Sequence, residues 1–417
     1  MLSRGRFLAV TAAAALALGG GGVAALERLL RGRTEAEVPL GAQPLGLPVR
    51  QHAWNATLAR DEHGNPVAPR FQRLLLFTLE RRPSAEDVRR LEAALRALER
   101  RYPWSPRGLL FTVGWGPGYF ERVLNVRSPI EWPRPLSSFE LPTLDDYDLC
   151  IHLACDHERR LAAVEAALVR GRPIPGADTT IELGGALSWR ATRTGFVGAR
   201  LPASRQRVGG IPPGEPVSEN APLYMGFKSG YLRNQASEDA VTIREGLLAG
   251  GTTMHVSRMR LSLDDWYGLL DERERVARMF APQLTPAEVD RFTTDAPSRP
   301  DRLTEAASRY GVVGHAQASA RARRRGSPLI LRRDFDSNDG DEAGLHFVSL
   351  QRAIADFVST RNAMNAANAS YLNPSVTATV NNGINEFIFV THRANYLIPP
   401  RAQRSFPLLP GRRSALA

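Results

Sequence analysis

Residues 311–365 read GVVGHAQASARARRRGSPLILRRDFDSNDGDEAGLHFVSLQRAIADFVSTRNAMN, and the rest of the chain is organised around them. His315 opens the stretch. An arginine-rich loop follows, Arg321 to Arg325, then a short apolar run from Pro328 to Leu331 that ends in Arg332, Arg333 and Asp334. A Gly/Asp/Asn turn leads to a second apolar strand, Gly344 to Val348. The spacing predicts a closing helix over 349–365, with Leu350, Ala353, Ile354, Phe357 and Val358 on one face. Spacing alone leaves the chemistry open. His315 and Arg332 frame a site for an iron porphyrin, because histidine supplies a nitrogen ligand and arginine stays charged beside developing negative charge. On spacing alone the simpler reading is that His315 caps a loop and Arg332 pairs with a surface carboxylate.

The segment resembles the carboxy-terminal signature of the dye-decolourising peroxidases, a family of haem enzymes. Its parts are His315, the Ile330-Leu331-Arg332-Arg333 strand, the Gly344-Leu345-His346-Phe347 strand and the helix from Ser349. A second signature lies upstream at Tyr224-Met225-Gly226-Phe227-Lys228-Ser229-Gly230, where the family usually shows Gly-Phe-x-Asp-Gly. The resemblance runs from about Arg70 to about Pro400. It implies an α+β fold of two tandem ferredoxin-like halves, barrel-like, with haem b held in the second half. His315 becomes the iron ligand and Arg332 the distal arginine, with Gly226, Phe227 and Gly230 against the porphyrin. Hydrogen peroxide, an unidentified organic reductant and a homo-oligomeric assembly come with the same resemblance.

One position departs from the pattern. Ser229 stands where the family has the aspartate that moves a proton between the peroxide oxygens. A serine hydroxyl is a poor base at neutral pH. Asp334 is the candidate substitute, since it lies two residues beyond Arg332 and shares its face of a strand; a surface salt bridge with Arg333 or a nearby arginine is the alternative. The departure keeps a second function open, a non-enzymatic haem or iron handling protein on the same fold, and a third, a scaffold without haem.

The formal charge is +11, with 54 basic against 43 acidic residues, and it comes mostly from arginine. The arginines are spread along the chain and no zinc-finger or RNA-binding signature accompanies them, so the charge reads as a basic surface and not as a nucleic-acid site. Cys150 and Cys155 lie five positions apart in one apolar run. That odd spacing sends them to opposite faces of a strand, poorly placed for a disulfide. No Cys-x-x-Cys-His is present, which excludes covalent c-type haem.

Residues 1–25 form a targeting segment, a basic start and an Ala/Leu run too short for an ordinary membrane span. Ser3-Arg4-Gly5-Arg6-Phe7-Leu8 is similar to a twin-arginine (Tat) export signal, with Gly5 where the second arginine stands. Val23-Ala24-Ala25 is the candidate cleavage site. The expectation is export, periplasmic or extracellular, with an uncleaved membrane anchor as the alternative.

Residues 26–69 read as a linker or wrapping arm. Strands are predicted at Phe71–Leu79, 108–114 and 147–154, and a capped helix at Ser84-Ala85-Glu86-Asp87 with Val88, Leu91, Leu95 and Leu98 inside. Leu161, Val164 and Leu168 mark a second helix. This order fits one ferredoxin-like half over 70–200. A second half over 201–400 has strands at 252–261, 329–333, 344–348 and 385–390. A helix carrying Trp266, Leu269, Leu270 and Val276 belongs to it. Residues 171–220 read as long loops and 401–417 as an Arg/Pro-rich tail. His346 reads as core or pocket, His255 as structural, and His52, His63, His157 and His392 as surface or loop positions. Trp266 and Tyr371 are candidate electron carriers, more simply core aromatics.

Overall fold

The computed structural model describes residues 46–174, 180–181, 183–291, 300–365 and 372–408. The targeting segment and Tyr371 lie outside them.

The first half comprises β1 (Phe71–Leu79), α1 (Ala85–Arg101), β2 (Leu110–Trp115), β3 (Thr143–Leu144), β4 (Leu149–Cys155), α2 (Glu158–Arg170) and β5 (Leu187–Phe196). The capping box at α1 is present: Ser84 accepts from the Asp87 N–H, and the Asp87 side chain accepts from the Ser84 N–H. Leu91, Leu95 and Leu98 then face the sheet in one apolar cluster with Leu75, Phe77, Ile151 and Leu153. The strand β5 lies inside the stretch read as loops. Its residues are mostly half-buried, so no alternation of apolar and polar letters marks it.

The second half comprises β6 (Thr252–Leu261), α3 (Leu263–Gly268), α4 (Glu272–Met279) and α5 (His315–Ser319). It continues with the hairpin β7 (Arg323–Arg324) and β8 (Ser327–Pro328), β9 (Leu331–Arg332), β10 (Phe335–Ser337), β11 (Gly344–Gln351), α6 (Ile354–Asn365) and β12 (Ile388–Ile398). Two expectations are corrected. The strand β11 runs on to Gln351, so Leu350 belongs to the sheet and the helix starts only at Ile354. The helix after β6 is two short helices, and Leu269 between them is 73% exposed.

The sheet order is β10-β5-β1-β4-β2-β12-β6-β11-β9, and β10 also pairs with β11. Numbered in chain order within each half, β5-β1-β4-β2 and β12-β6-β11-β9 both follow the order 4-1-3-2. The fold is therefore two ferredoxin-like sheets in tandem. Thin seams join them: Trp115 opposite Leu397 between β2 and β12, and Phe196 opposite Asp336 between β5 and β10. The β10–β11 pairing closes the strands into a ring. Inside it Leu74, Leu76, Cys150, Val256, Phe335, Val348 and Tyr396 form one cluster drawn from both halves. Strands buried on both faces read as unbroken apolar runs, and all seven residues of β4 are buried. Cys150 points into the ring and Cys155 toward the helices; both are free, as their spacing requires.

Residues 46–69 lie against both halves. Gln51 donates to Val113 O (3.3 Å) and Pro399 O (2.8 Å), and Trp54 is buried with Leu110 and Ala154. His52, read as a surface position, is fully buried and hydrogen-bonded to Thr242 at 2.8 Å. His392 lies on β12, half-buried, and not in a loop. In the tail, Arg401 and Arg404 are buried and paired with Glu99.

Candidate functional site

The outer face of the second sheet forms the floor of a cavity. Met259 and Leu261 on β6 and Leu345 and Phe347 on β11 alternate outward there, while Val256 and Val348 alternate inward. Phe357, Arg361 and Met364 of α6 and Ile384 and Ile388 add further walls. The cavity volume is ≈ 180 Å³. An apolar cavity with a few convergent polar groups is the usual form of a cofactor site.

His315, Ser229, Arg332, Asp334 and Phe227 all line this one cavity, although 103 residues separate Ser229 from Arg332. His315 is the first residue of α5, and its position is fixed by what precedes it. A Cβ on Gly314 would meet Phe280 O at 1.8 Å, so only glycine lets the chain pass that close. Val313 N–H donates to Asn381 O (2.9 Å) and Val313 O accepts from Gly383 N–H (2.6 Å), tying the approach to the loop before β12. No hydrogen bond holds the His315 ring among the described residues. Burial first, then the Arg332 and Arg361 guanidinium groups, push its pKa down to about 3. The imidazole is therefore neutral at pH 7 and keeps a lone pair free for a metal.

Arg332 is held by its backbone and its tip. Its N–H donates to Gln235 Oε1 (2.6 Å) and its Nη2 to Ser229 O (2.6 Å), while the buried Nε has no partner among the described residues. Arg333 points the other way. It stacks over Trp54 at 3.8 Å and pairs with Glu238 at 3.1 Å. Asp334 returns to the cavity with Arg332, and Arg333 is not its ion partner. Ser229 O also accepts from Asn234 Nδ2 at 3.0 Å. Gly226 has φ +89°, a left-handed turn that sends Phe227 into the wall against Phe280 (5.2 Å, edge-on). Gly230 closes the turn beside Gln235.

A profile of the "Family of unknown function (DUF7405)" matches residues 69–400. The chain belongs to DUF7405. No curated protein matches this DUF7405 protein in sequence. Solved structures do match in shape. The dye-decolorizing protein from V. cholerae superposes with TM-score 0.53 at 15% identity, covering 85% of this chain and 99% of that one. The DyP-type peroxidase from Cellulomonas bogoriensis gives TM-score 0.54 at 21% identity, over 84% and 97% of the two chains. A variant of DypB from Rhodococcus jostii RHA1, in complex with heme, gives TM-score 0.53 at 15% identity, over 85% and 98%. The DUF7405 protein shares their fold.

The structure also brings to the cavity residues that the sequence reading passed over. Arg361 donates to Asn385 Oδ1 at 3.0 Å, and Arg393 forms a two-pronged ion pair with Glu140 (3.0 and 2.7 Å). Asp336 lines the same wall as Arg332 and Asp334. Its signal was available, since 332, 334 and 336 continue one period of two. Arg361 and Arg393 carry none, because burial of an arginine cannot be read from its neighbours in sequence. Among the described residues no group of three or more His, Cys, Asp and Glu gathers to hold a bare metal ion.

Proposed function

We propose that this protein binds haem b in the cavity and uses hydrogen peroxide to oxidise an organic reductant. The observation that carries the reading is His315, a neutral imidazole with no hydrogen-bond partner among the described residues, lining a largely apolar cavity. The residues present fit the group: an apolar wall for a flat macrocycle, a free nitrogen for its iron, and an arginine with an unsatisfied Nε nearby. Bound haem supplies the redox chemistry. The chain supplies the rest. His315 would hold the iron. Arg332, fixed through Gln235 and Ser229, places permanent positive charge where negative charge grows on the peroxide, which lowers the barrier without reorganisation. Leu345, Phe347 and Phe357 keep water out. Ser229 or Asp334 would tune proton transfer.

A second reading, haem or iron handling without peroxide chemistry, is favoured by Ser229, which offers no carboxylate in the glycine turn. Purified protein titrated with haem separates these readings from a haem-free scaffold. A Soret band that His315→Ala loses or shifts is expected; equal affinity and an unchanged spectrum in the variant would sink the ligand assignment. Peroxide-dependent oxidation of a dye then separates the first two. Export, through residues 1–25, and division into halves near residue 200 belong to the same proposal. Cells expressing the full chain should carry it outside the cytoplasm, and cells expressing residues 26–417 should not; cytoplasmic full-length chain defeats the export proposal.

A further inference from the structure

The cavity wall holds one carboxyl that the reading above leaves unused. Asp336 is only 1% exposed. Its Oδ2 accepts the Tyr224 N–H at 2.6 Å, and its Oδ1 has no partner among the described residues. Its backbone is locked, because Asp336 pairs with Leu345 on β11 and Phe196 on β5, at the seam that closes the ring. No guanidinium or ammonium pairs with the carboxyl among the described residues. The titratable groups that act on it electrostatically are Asp334 on the same wall and the phenols of Tyr224 and Tyr267, whose hydroxyls donate to Asn338 and to Tyr224 O. None of them is a cation. Burial first pushes the Asp336 pKa well above the usual carboxylate range; the Tyr224 N–H pulls against that shift and Asp334 adds to it. A protonated carboxyl has one hydroxyl to donate. With Oδ2 taken by Tyr224, the hydroxyl falls to Oδ1, which lacks an acceptor among the described residues.

We infer that Asp336 is the proton-holding residue of this site, a carboxyl on the Arg332 wall that exchanges protons with an oxygen ligand in the cavity. The inference rests on the haem peroxidase reading. Asp336 gives its proton to one oxygen of hydrogen peroxide and recovers a proton from the other, so the carboxyl ends as it began. Haem, when bound, would supply the two electrons needed to part the oxygens. This assigns to β10 the task that the glycine turn cannot perform with Ser229. It also separates two acids by environment: Asp334, half-buried beside Arg332, and Asp336, fully buried and unpaired.

The test uses the full chain, without haem and haem-loaded, with Asp336→Asn and Asp336→Glu. Asparagine keeps the shape and still accepts from Tyr224. In the haem-free wild type a carboxylic-acid carbonyl band is expected in the infrared at pH 7, and Asp336→Asn should lack it. Absence of the band in the wild type overturns the inference whether or not the variants fold. In the loaded protein, Asp336→Asn should bind haem as the wild type does by Soret titration. It should lose ~10²–10⁴-fold in the stopped-flow rate with peroxide, and Asp336→Glu should recover part of it. An unchanged rate with haem bound overturns the inference and leaves the functional reading standing. A wild type that takes up no haem overturns both.

Discussion

At the scale of single residues, the site depends on glycines as much as on the groups that carry chemistry. Gly314 sets His315 in the cavity because a side chain there would run into Phe280 O. Gly314→Ala forces the chain off Phe280 or α5 out of place. Overpacking of this kind costs ~1–3 kcal/mol. We expect a lower Tm and weaker haem binding although His315 is untouched. Gly268, with nothing within 4 Å of a built Cβ, is the contrast. Gly268→Ala should hold or slightly raise the Tm, as helix propensity predicts. If the two substitutions lower the Tm equally, close approach to Phe280 is not what fixes His315. His315, Ser229 and Arg332 were all legible as letters because their motifs are short and local. That Arg332 Nη2 reaches the Ser229 carbonyl was not, since the contact joins two distant segments.

At the scale of elements, the glycine turn is braced from outside the sheet. Lys228 pairs with Asp61 in the amino-terminal arm, and the Leu232 N–H donates to Asn65 Oδ1 at 3.1 Å. Trp54 and Asn55 N–H groups donate to Glu238, which also holds Arg333. The arm thus ties itself to the segment that carries Ser229 and to the strand end next to Arg332. Lys228 is the chain's single lysine, so acylation of its amine reports on this brace without ambiguity. Asp61→Asn should raise the rate of Lys228 acylation, measured by mass spectrometry, several-fold over the wild type. The pair is part-exposed, so the stability loss should stay within ~1 kcal/mol. An unchanged acylation rate would show that Asp61 does not shield the amine.

At the scale of the whole molecule, the fold buries histidines that carry no charge. His52 and His152 are each pushed down to about 3, burial being the largest cause in both cases. In the unfolded chain they titrate near their ordinary value, about 6.5. Below that pH the unfolded state binds more protons than the folded one, so stability falls as pH falls. At pH 5 each such group costs about 2 kcal/mol relative to pH 8. Asp336 acts in the opposite direction, because its folded form keeps a proton that the unfolded form releases. A Tm that declines between pH 7 and pH 4, and declines less in His152→Gln, is expected. A flat profile would mean that these rings are not buried neutral.

What the sequence determined by itself was local. Periodicity placed α1, α2, β1, β4 and β6, odd spacing set Cys150 and Cys155 on opposite faces, and two short signatures marked both walls of one site. The strand β5 escaped because its half-buried residues alternate too weakly to show a period. The helix start at Ile354 escaped because Leu350 fits a helical stripe and an inward strand face equally well. Only the tertiary structure decided that Asp336 is a buried, unpaired acid and Asp334 a half-buried one. Both letters are the same, and the raised pKa of Asp336 follows from desolvation. Desolvation depends on the strands and loops that close over a residue, and ring closure between β10 and β11 brings those together from across the chain.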